Sequence, residues 1–516
     1  MKQNKLILNW LVNILKRNSF FLLYLLLLSS CDEGTRTTNQ KTSYSNWYTA
    51  SFENDSIPGI GLTKAYTLLK KSTDPVIVAV IDTPVDLNHP VFSNRLYINH
   101  DEIPGNNLDD DNNGYVDDIN GWNFVGYDKN KSVYFTSYEI VRLIRHLENQ
   151  DELDSLQLKK LIEAHQLQRE TAQKRLTKSN NDLKAFYNAK KVFPHAIRSN
   201  GTIDTVASKE INPKDEEETK LKKFLTRYGR IGLYEKQLIQ FKIGGEGEIS
   251  KSLNLQYDDR SIAKGHAIIN DIENMSQHAT QVGGLIAEAT NGVNFNRPDI
   301  IDIKLMFLSV SGVGDYHNND LAAAIRYAVD NGASVINFSD SKPYSVGEEK
   351  VTQAIKYAAK NNVLMVTSAG NNNLNTDDNK WYPLDYRDDF NEFLDNLLVV
   401  GASTNKIDKL KGSFSNYGQQ TVDIFAPGSK ITIPNGEVDV PYIRLGGTSL
   451  ASALTSASAA IIISQYPDLK AGEIKELLLQ SSTNIEEDTF KSYSKSGKVL
   501  DVYKVLEKLK NRHTKH

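Results

Sequence analysis

The chain has 516 residues, room for roughly two to four domains or for one large α/β domain with insertions. Hydrophobic residues make up 40% and charged residues 24%, a globular composition, and a net charge of -4 gives no electrostatic reason to expect nucleic acid as a partner. A single cysteine, Cys31, excludes an intramolecular disulfide.

The chain opens with a targeting pattern. Lys2, Lys5, Lys16 and Arg17 precede an apolar run from Phe20 to Leu28 that is too short to span a bilayer comfortably. It ends in Leu28-Ser29-Ser30-Cys31, which resembles the lipobox of bacterial lipoproteins. There a thiol takes a diacylglyceryl group, and small residues before it admit the signal peptidase. The resemblance implies a signal peptide over residues 1–30, a lipidated Cys31, and an extracytoplasmic, membrane-anchored protein. The other reading is an ordinary cleaved signal with an incidental cysteine. Residues 31–56 form a tether, Thr/Ser/Asn/Gly-rich up to residue 46 and without periodicity. So short a stretch before the domain leaves no room for a folding propeptide.

Val76 to Ile81 is a continuous apolar, β-branched run, the pattern of a strand buried on both faces of a parallel sheet. It ends at Asp82, and open α/β sheets carry their functional groups at the carboxyl ends of such strands. A carboxylate there needs a partner such as an imidazole. His89, seven residues on, reads as a packed loop histidine. The stretch Asp109-Asp110-Asp111-Asn112-Asn113-Gly114-Tyr115-Val116-Asp117-Asp118 matches part of a Ca²⁺ loop. Asp109, Asp111, Asn113, the Tyr115 carbonyl and Asp117 would be its ligands. The loop lacks the glutamate at position twelve of an EF-hand, and an Asn/Asp turn in a solvated loop fits it equally well. From residue 133 to 265 the spacing turns helical, with Ile140, Leu143, Ile144 and Leu147, then Leu221, Phe224, Leu225 and Tyr228, between charged residues. This predicts a helical insertion, a small hairpin or coiled pair, whose charges lie on solvated faces.

His278 precedes a run of small and apolar residues, so it stands at the mouth of a buried helix. Strands are predicted from Asp302, Ala333, Val363 and Leu398, with helices at 319–331 and 351–361 between them. Strand–helix alternation with apolar strands implies parallel crossovers and a doubly wound sheet. Asn371 ends one of these strands within Ser368-Ala369-Gly370-Asn371-Asn372, placed to offer an amide N–H₂ to negative charge. Gly446-Gly447-Thr448-Ser449 then opens an Ala/Ser-rich helix, whose free N–H groups and dipole suit an oxyanion beside Ser449. Taken alone, Gly-Thr-Ser before a helix is only an N-cap.

Val80-Ile81-Asp82-Thr83, His278-Ala279-Thr280, Ala369-Gly370-Asn371, Phe414-Ser415-Asn416-Tyr417-Gly418, Ala426-Pro427-Gly428 and Gly447-Thr448-Ser449 together resemble the subtilisin-like serine peptidases (family S8), in that family's order. The resemblance covers roughly residues 57–505, within a peptidase domain over 57–516 interrupted by the insertion. It implies Ser449 as nucleophile, His278 as general acid/base, Asp82 as its orienting carboxylate and Asn371 as oxyanion donor. Ser339, Asp340 and Ser341 and Ser368, Ala369 and Gly370 would form the two edges between which a peptide or protein substrate lies as an added strand. No organic cofactor is implied. The family commonly has leucine where Asp340 stands, and the acid predicts a basic residue at one subsite on the N-terminal side of the cleaved bond. Pro84, Ala279, Leu450, Ala453 and Leu454 also depart from the family pattern. A weak or inactive peptide-binding relative, or a scaffold whose insertion carries the function, are the alternatives.

Overall fold

The computed structural model of the protein describes residues 46–72, 74–128, 131–148, 155–260, 265–270, 277–386, 388–437, 440–485 and 489–513. The expected signal segment and Cys31 lie outside the described residues. Nine strands join in one sheet: β1 Val76–Asp82, β2 Gly121–Asn123, β3 Ile303–Ser309, β4 Val335–Phe338, β5 Leu364–Ser368, β6 Leu397–Ser403, β7 Ile424–Pro427, β8 Thr483–Asn484 and β9 Lys498–Val499. Their order across the sheet is β8-β9-β7-β6-β5-β4-β1-β3-β2. Only β8 and β9 run antiparallel to each other. The α/β, doubly wound, mostly parallel sheet and its helical insertion are both present.

Side-chain alternation along the strands builds two cores. Val78, Val80, Leu305, Phe307, Leu364 and Val366 pack with the helices His278–Ala289 and Thr448–Gln465. Ala79, Ile81, Met306, Leu308, Ile336 and Met365 pack with the helices Asn318–Asp330 and Glu348–Lys360 on the other face. The chain lays down β3 on one side of β1 and resumes with β4 on the other. Asp82, the last residue of β1, therefore sits at the point where the winding reverses, which is where such sheets open a ligand crevice.

The helix Thr448–Gln465 is buried from Thr448 through Ile462, and its small side chains are what let it lie so close to the sheet. Its buried hydroxyls do not go unpaired: Ser452 donates to Ser449 O (2.9 Å), Thr455 to Ala451 O (2.8 Å), Ser456 to Asn337 Oδ1 (3.0 Å) and Ser458 to Leu454 O (2.8 Å). Leu450, Ala453 and Leu454, three of the departures from the family pattern, are core residues of this packing.

The insertion is larger than a hairpin. It contains helices Glu139–Glu148, Ser155–Val192, Thr205–Glu210, Glu216–Arg230 and Glu235–Gly247, the second about 57 Å long at 1.5 Å per residue. Two clusters of its own hold it, one around Phe186, Leu225 and Leu238, the other around Ile140, Ile144 and Leu253. The expectation that its charges lie on solvated faces needs correcting at the root. Glu139 is buried and accepts from Lys342 Nζ (2.9 Å), a lysine with no exposed side-chain surface, and from Arg142 Nε (2.8 Å). Glu248, also buried, pairs with Arg175 at 2.5 Å. Glu139 and Lys342 close the joint between insertion and sheet, while Glu248 and Arg175 tie two insertion segments together, and neither long-range pairing is revealed by local spacing. No described helix is long and apolar enough to cross a membrane.

Candidate active site

Four segments bring the predicted residues to one end of the sheet. Asp82, 3% exposed, holds the imidazole of His278 through both carboxylate oxygens, Oδ1 at 2.8 Å and Oδ2 at 2.9 Å from Nδ1. His278 is the first residue of its helix, and Thr83 pins that helix start to the strand end by accepting from Ala279 N (3.2 Å) through Oγ1. Pro84 and Ala279 leave this junction intact. With Nδ1 on the carboxylate, Nε2 is the free face of the ring. Burial alone would push the imidazole down. The charge and hydrogen bond of Asp82, with a further contribution from Asp340, outweigh it and hold His278 above its ordinary value.

Ser449 is the second residue of its helix, where backbone N–H groups lack intrahelical partners. Its Oγ donates to the Ser339 carbonyl (3.1 Å) rather than to the imidazole. Nucleophile–base bonds are often loose before substrate arrives. Asn371 is fixed by its own partners: its Oδ1 accepts from Thr448 N (2.9 Å) and Thr448 Oγ1 (3.0 Å), which directs Nδ2 away from that pair. Thr448 also accepts from Gly370 N (3.3 Å), so the strand end and the serine helix are joined twice.

The two stretches expected to flank a substrate, 339–341 and 368–370, both lie against the serine helix. Ser339 contacts Ser449 as above, and its Oγ lies 2.9 Å from Ser452 Oγ. Asp340 accepts from Ser341 N (2.7 Å), and burial first, then Asp315 and Asp82, push its carboxyl up to about 7. On the other edge Asn416 Nδ2 donates to Ala369 O (2.8 Å), while its Oδ1 accepts from Asn372 N and Leu374 N. Gly370 has φ +97, and a Cβ there would lie 2.5 Å from Asn416 Nδ2 and 2.6 Å from Trp381 Nε1, so only glycine fits. Trp381 carried no sequence signal as a site residue. Its partner across the crevice is 40 residues away.

His89 is a packed loop residue, as expected, with Nδ1 accepting from Val91 N (3.2 Å). In the acidic loop, Asp109 and Asp111 gather with Glu102, their oxygens within 4.8 Å of one another. Asp117 turns elsewhere and accepts from Gly105, Asn106 and Asn107 N–H groups. Asn113 accepts from Tyr115 N (2.8 Å) and donates to Asp111 and Asp118. Glu102 was invisible in the sequence because it lies seven residues outside the pattern.

A carboxylate-bound imidazole and a helix-end serine at the carboxyl ends of parallel strands define the serine-hydrolase class of site. Residues 73–497 match the Subtilase family, peptidase family S8. The chain belongs to that family and is a subtilisin-like serine endopeptidase. It is 32% identical to subtilisin DY of Bacillus licheniformis over 40% of this chain and 71% of that protein. Thermitase of Thermoactinomyces vulgaris is 35% identical over 37% of this chain and 63% of its own length. Among solved structures, the epidermin leader peptide processing serine protease of Staphylococcus aureus covers 92% of this chain and 83% of its own, with 17% identity and a TM-score of 0.48.

Proposed function

We propose that the protein hydrolyses peptide bonds through an acyl-enzyme on Ser449, as a lipid-anchored enzyme on an extracytoplasmic membrane face. The observation that carries the catalytic reading is the grip of Asp82 on His278 Nδ1 at 2.8 and 2.9 Å, which leaves Nε2 to act as base. Ser449 Oγ leaves the Ser339 carbonyl, passes its proton to Nε2 and attacks the substrate carbonyl. The imidazolium, supported by Asp82, gives that proton to the departing amine. Water then repeats the cycle on the ester. The oxyanion receives Asn371 Nδ2 and the N–H of Ser449, and Asn371 needs no reorganisation because Thr448 already fixes its amide. Labelling of Ser449 by a fluorophosphonate probe tests this reading. A folded wild type that stays unlabelled would favour a peptide-binding protein without turnover.

Two further parts of the reading rest on sequence. The anchor is Cys31, and mass spectrometry of the mature N-terminus should find it acylated. A structural Ca²⁺ is bound at Asp109 and Asp111, whose all-oxygen chemistry suits a hard cation, with Glu102 beside them. Asn113, the Tyr115 carbonyl and Asp117 complete the donor set if the loop repacks on binding. Added Ca²⁺ should then raise Tm and chelator should lower it.

A further inference from the structure

A small pocket opens between the two crevice edges, lined by Ser341, Ser368, Ala369, Trp381 and Tyr386. Both edges are tied to the nucleophile: Ser339 accepts from Ser449 Oγ, and Gly370 donates to Thr448. On the catalytic reading above, a peptide that lies as an added strand between these edges sets the residue supplying the cleaved carbonyl beside the space between them.

That space is nearly full. The room left for the centre of a water molecule is about 10 Å³, enough for one water. What fills it is the indole of Trp381, which is 7% exposed. Nε1 donates to Ser341 Oγ on one edge (2.7 Å), and the ring lies against Gly370 on the other, where an added Cβ would come within 2.6 Å of Nε1. The indole therefore spans the crevice floor from edge to edge.

The indole is also held. Tyr382, next in the chain, pairs with Lys342 in both directions, Lys342 N to Tyr382 O (3.1 Å) and Tyr382 N to Lys342 O (2.8 Å). Lys342 is in turn fixed by Glu139 of the insertion. A second cavity, with about 40 Å³ for water centres, is lined by Tyr138, Arg175, Asn372 and again Trp381. Trp381 is the one residue that the two linings share.

We propose that Trp381 is a specificity-determining residue that restricts the residue supplying the cleaved carbonyl to Gly, Ala or Ser. The proposal rests on the catalytic reading above for the position of the substrate carbonyl. A methyl or hydroxymethyl group takes the place of one water. A phenyl or isobutyl group needs the volume the indole holds, and to take it must break the Ser341 bond.

The test uses peptides that differ only at that residue. Wild type should turn over the Ala peptide with kcat/KM about 100-fold above the Phe peptide. Trp381→Ala removes the side chain that the two linings share and should raise kcat/KM for Phe at least ~10-fold while leaving Ala the poorer substrate. Trp381→Leu, a smaller change, should move the ranking the same way if the alanine variant does not fold. In parallel, product peptides ending in Ala or Phe are titrated against Ser449→Ala, and Ala should bind the tighter. Phe binding as well as Ala, or wild type cleaving after both alike, overturns the proposal. The binding order retained with no turnover by wild type overturns the catalytic reading alone and upholds the pocket.

Discussion

The sheet and the insertion solve the same problem of burial in opposite ways. Behind the active site the serine helix buries neutral surface: it is enclosed from Thr448 to Ile462, and its hydroxyls are satisfied within the core. The insertion is mostly a set of helices with narrow apolar stripes, Leu161, Ala164, Ala172, Phe186 and Ala189 along the long helix. It joins the sheet through charge. Glu139 accepts from Lys342, Arg142 and Val346 N, and donates its own N–H to Asp315 (2.8 Å). Lys342 follows directly on Ser341, so the insertion's contact falls two residues from Asp340. The difference is one of degree: the core behind His278 and Ser449 takes in one insertion side chain, Tyr234, whereas the segment beside Asp340 is tied to the insertion by a buried ion pair.

That division predicts where the largest losses fall. Ser449→Ala or His278→Ala should each abolish turnover without unfolding the sheet. The same losses in subtilisin cost about 2 × 10⁶ in kcat, and the double variant should be no worse than either single one. Asn371→Ala should cost about 10²–10³ in kcat with little change in KM, the range known for the subtilisin asparagine. Thermal melts of all three should stay near wild type. A variant that keeps turnover but melts early would place that residue in the frame instead of the chemistry.

Breaking the joint should act the other way. Glu139→Gln leaves the buried Lys342 and the half-buried Arg142 without their carboxylate, and the loss of one partner of a buried pair costs about 3–5 kcal/mol. Replacing both partners with apolar residues, Glu139→Leu with Lys342→Met, should recover part of that loss, because the buried lysine charge goes with its partner while Arg142 keeps the Asp315 and Tyr316 carbonyls. Denaturant unfolding measures both. Equal stability of Glu139→Gln and wild type would mean the joint is not held by this pair.

The two regions also differed in how far the sequence exposed them. Asp82, Asn371 and Ser449 lie at or just beyond the ends of apolar elements, yet their roles were legible only from the resemblance of six motifs to the subtilisin-like peptidases. His278 was legible only from the helix that follows it. The pairing of Glu139 with Lys342 spans 203 residues, and that of Trp381 with Ser341 spans 40, neither with a periodic trace. Asp340 falls between these cases. Its place on the edge was legible. Its neighbours were not: the acid faces Asp315 and the catalytic pair rather than a lone substrate cation.

Asp340 is where the two regions meet, and it yields the smallest and most discriminating prediction. His278 must be neutral to act as base, so its pKa sets the acid limb of kcat/KM. Burial lowers that pKa, while Asp82 and, after it, Asp340 raise it. Asp340→Asn removes one raising charge and leaves Asp82 in place, so the acid limb should move to lower pH. The carboxyl of Asp340 itself titrates near pH 7, pushed up by burial and by Asp315. In wild type the charge that Asp340 sets against His278 itself changes as the carboxyl protonates, so the limb should be broader than one ionisation gives. The asparagine variant should show a single, sharper limb. Profiles are compared on a peptide with alanine at the cleaved carbonyl, with a second peptide carrying lysine at the neighbouring subsites. A limb that does not move, together with a lost preference for lysine, would make Asp340 a substrate contact alone. A moved limb with unchanged lysine preference would make it a tuning charge for His278, through which the insertion's root acts on catalysis.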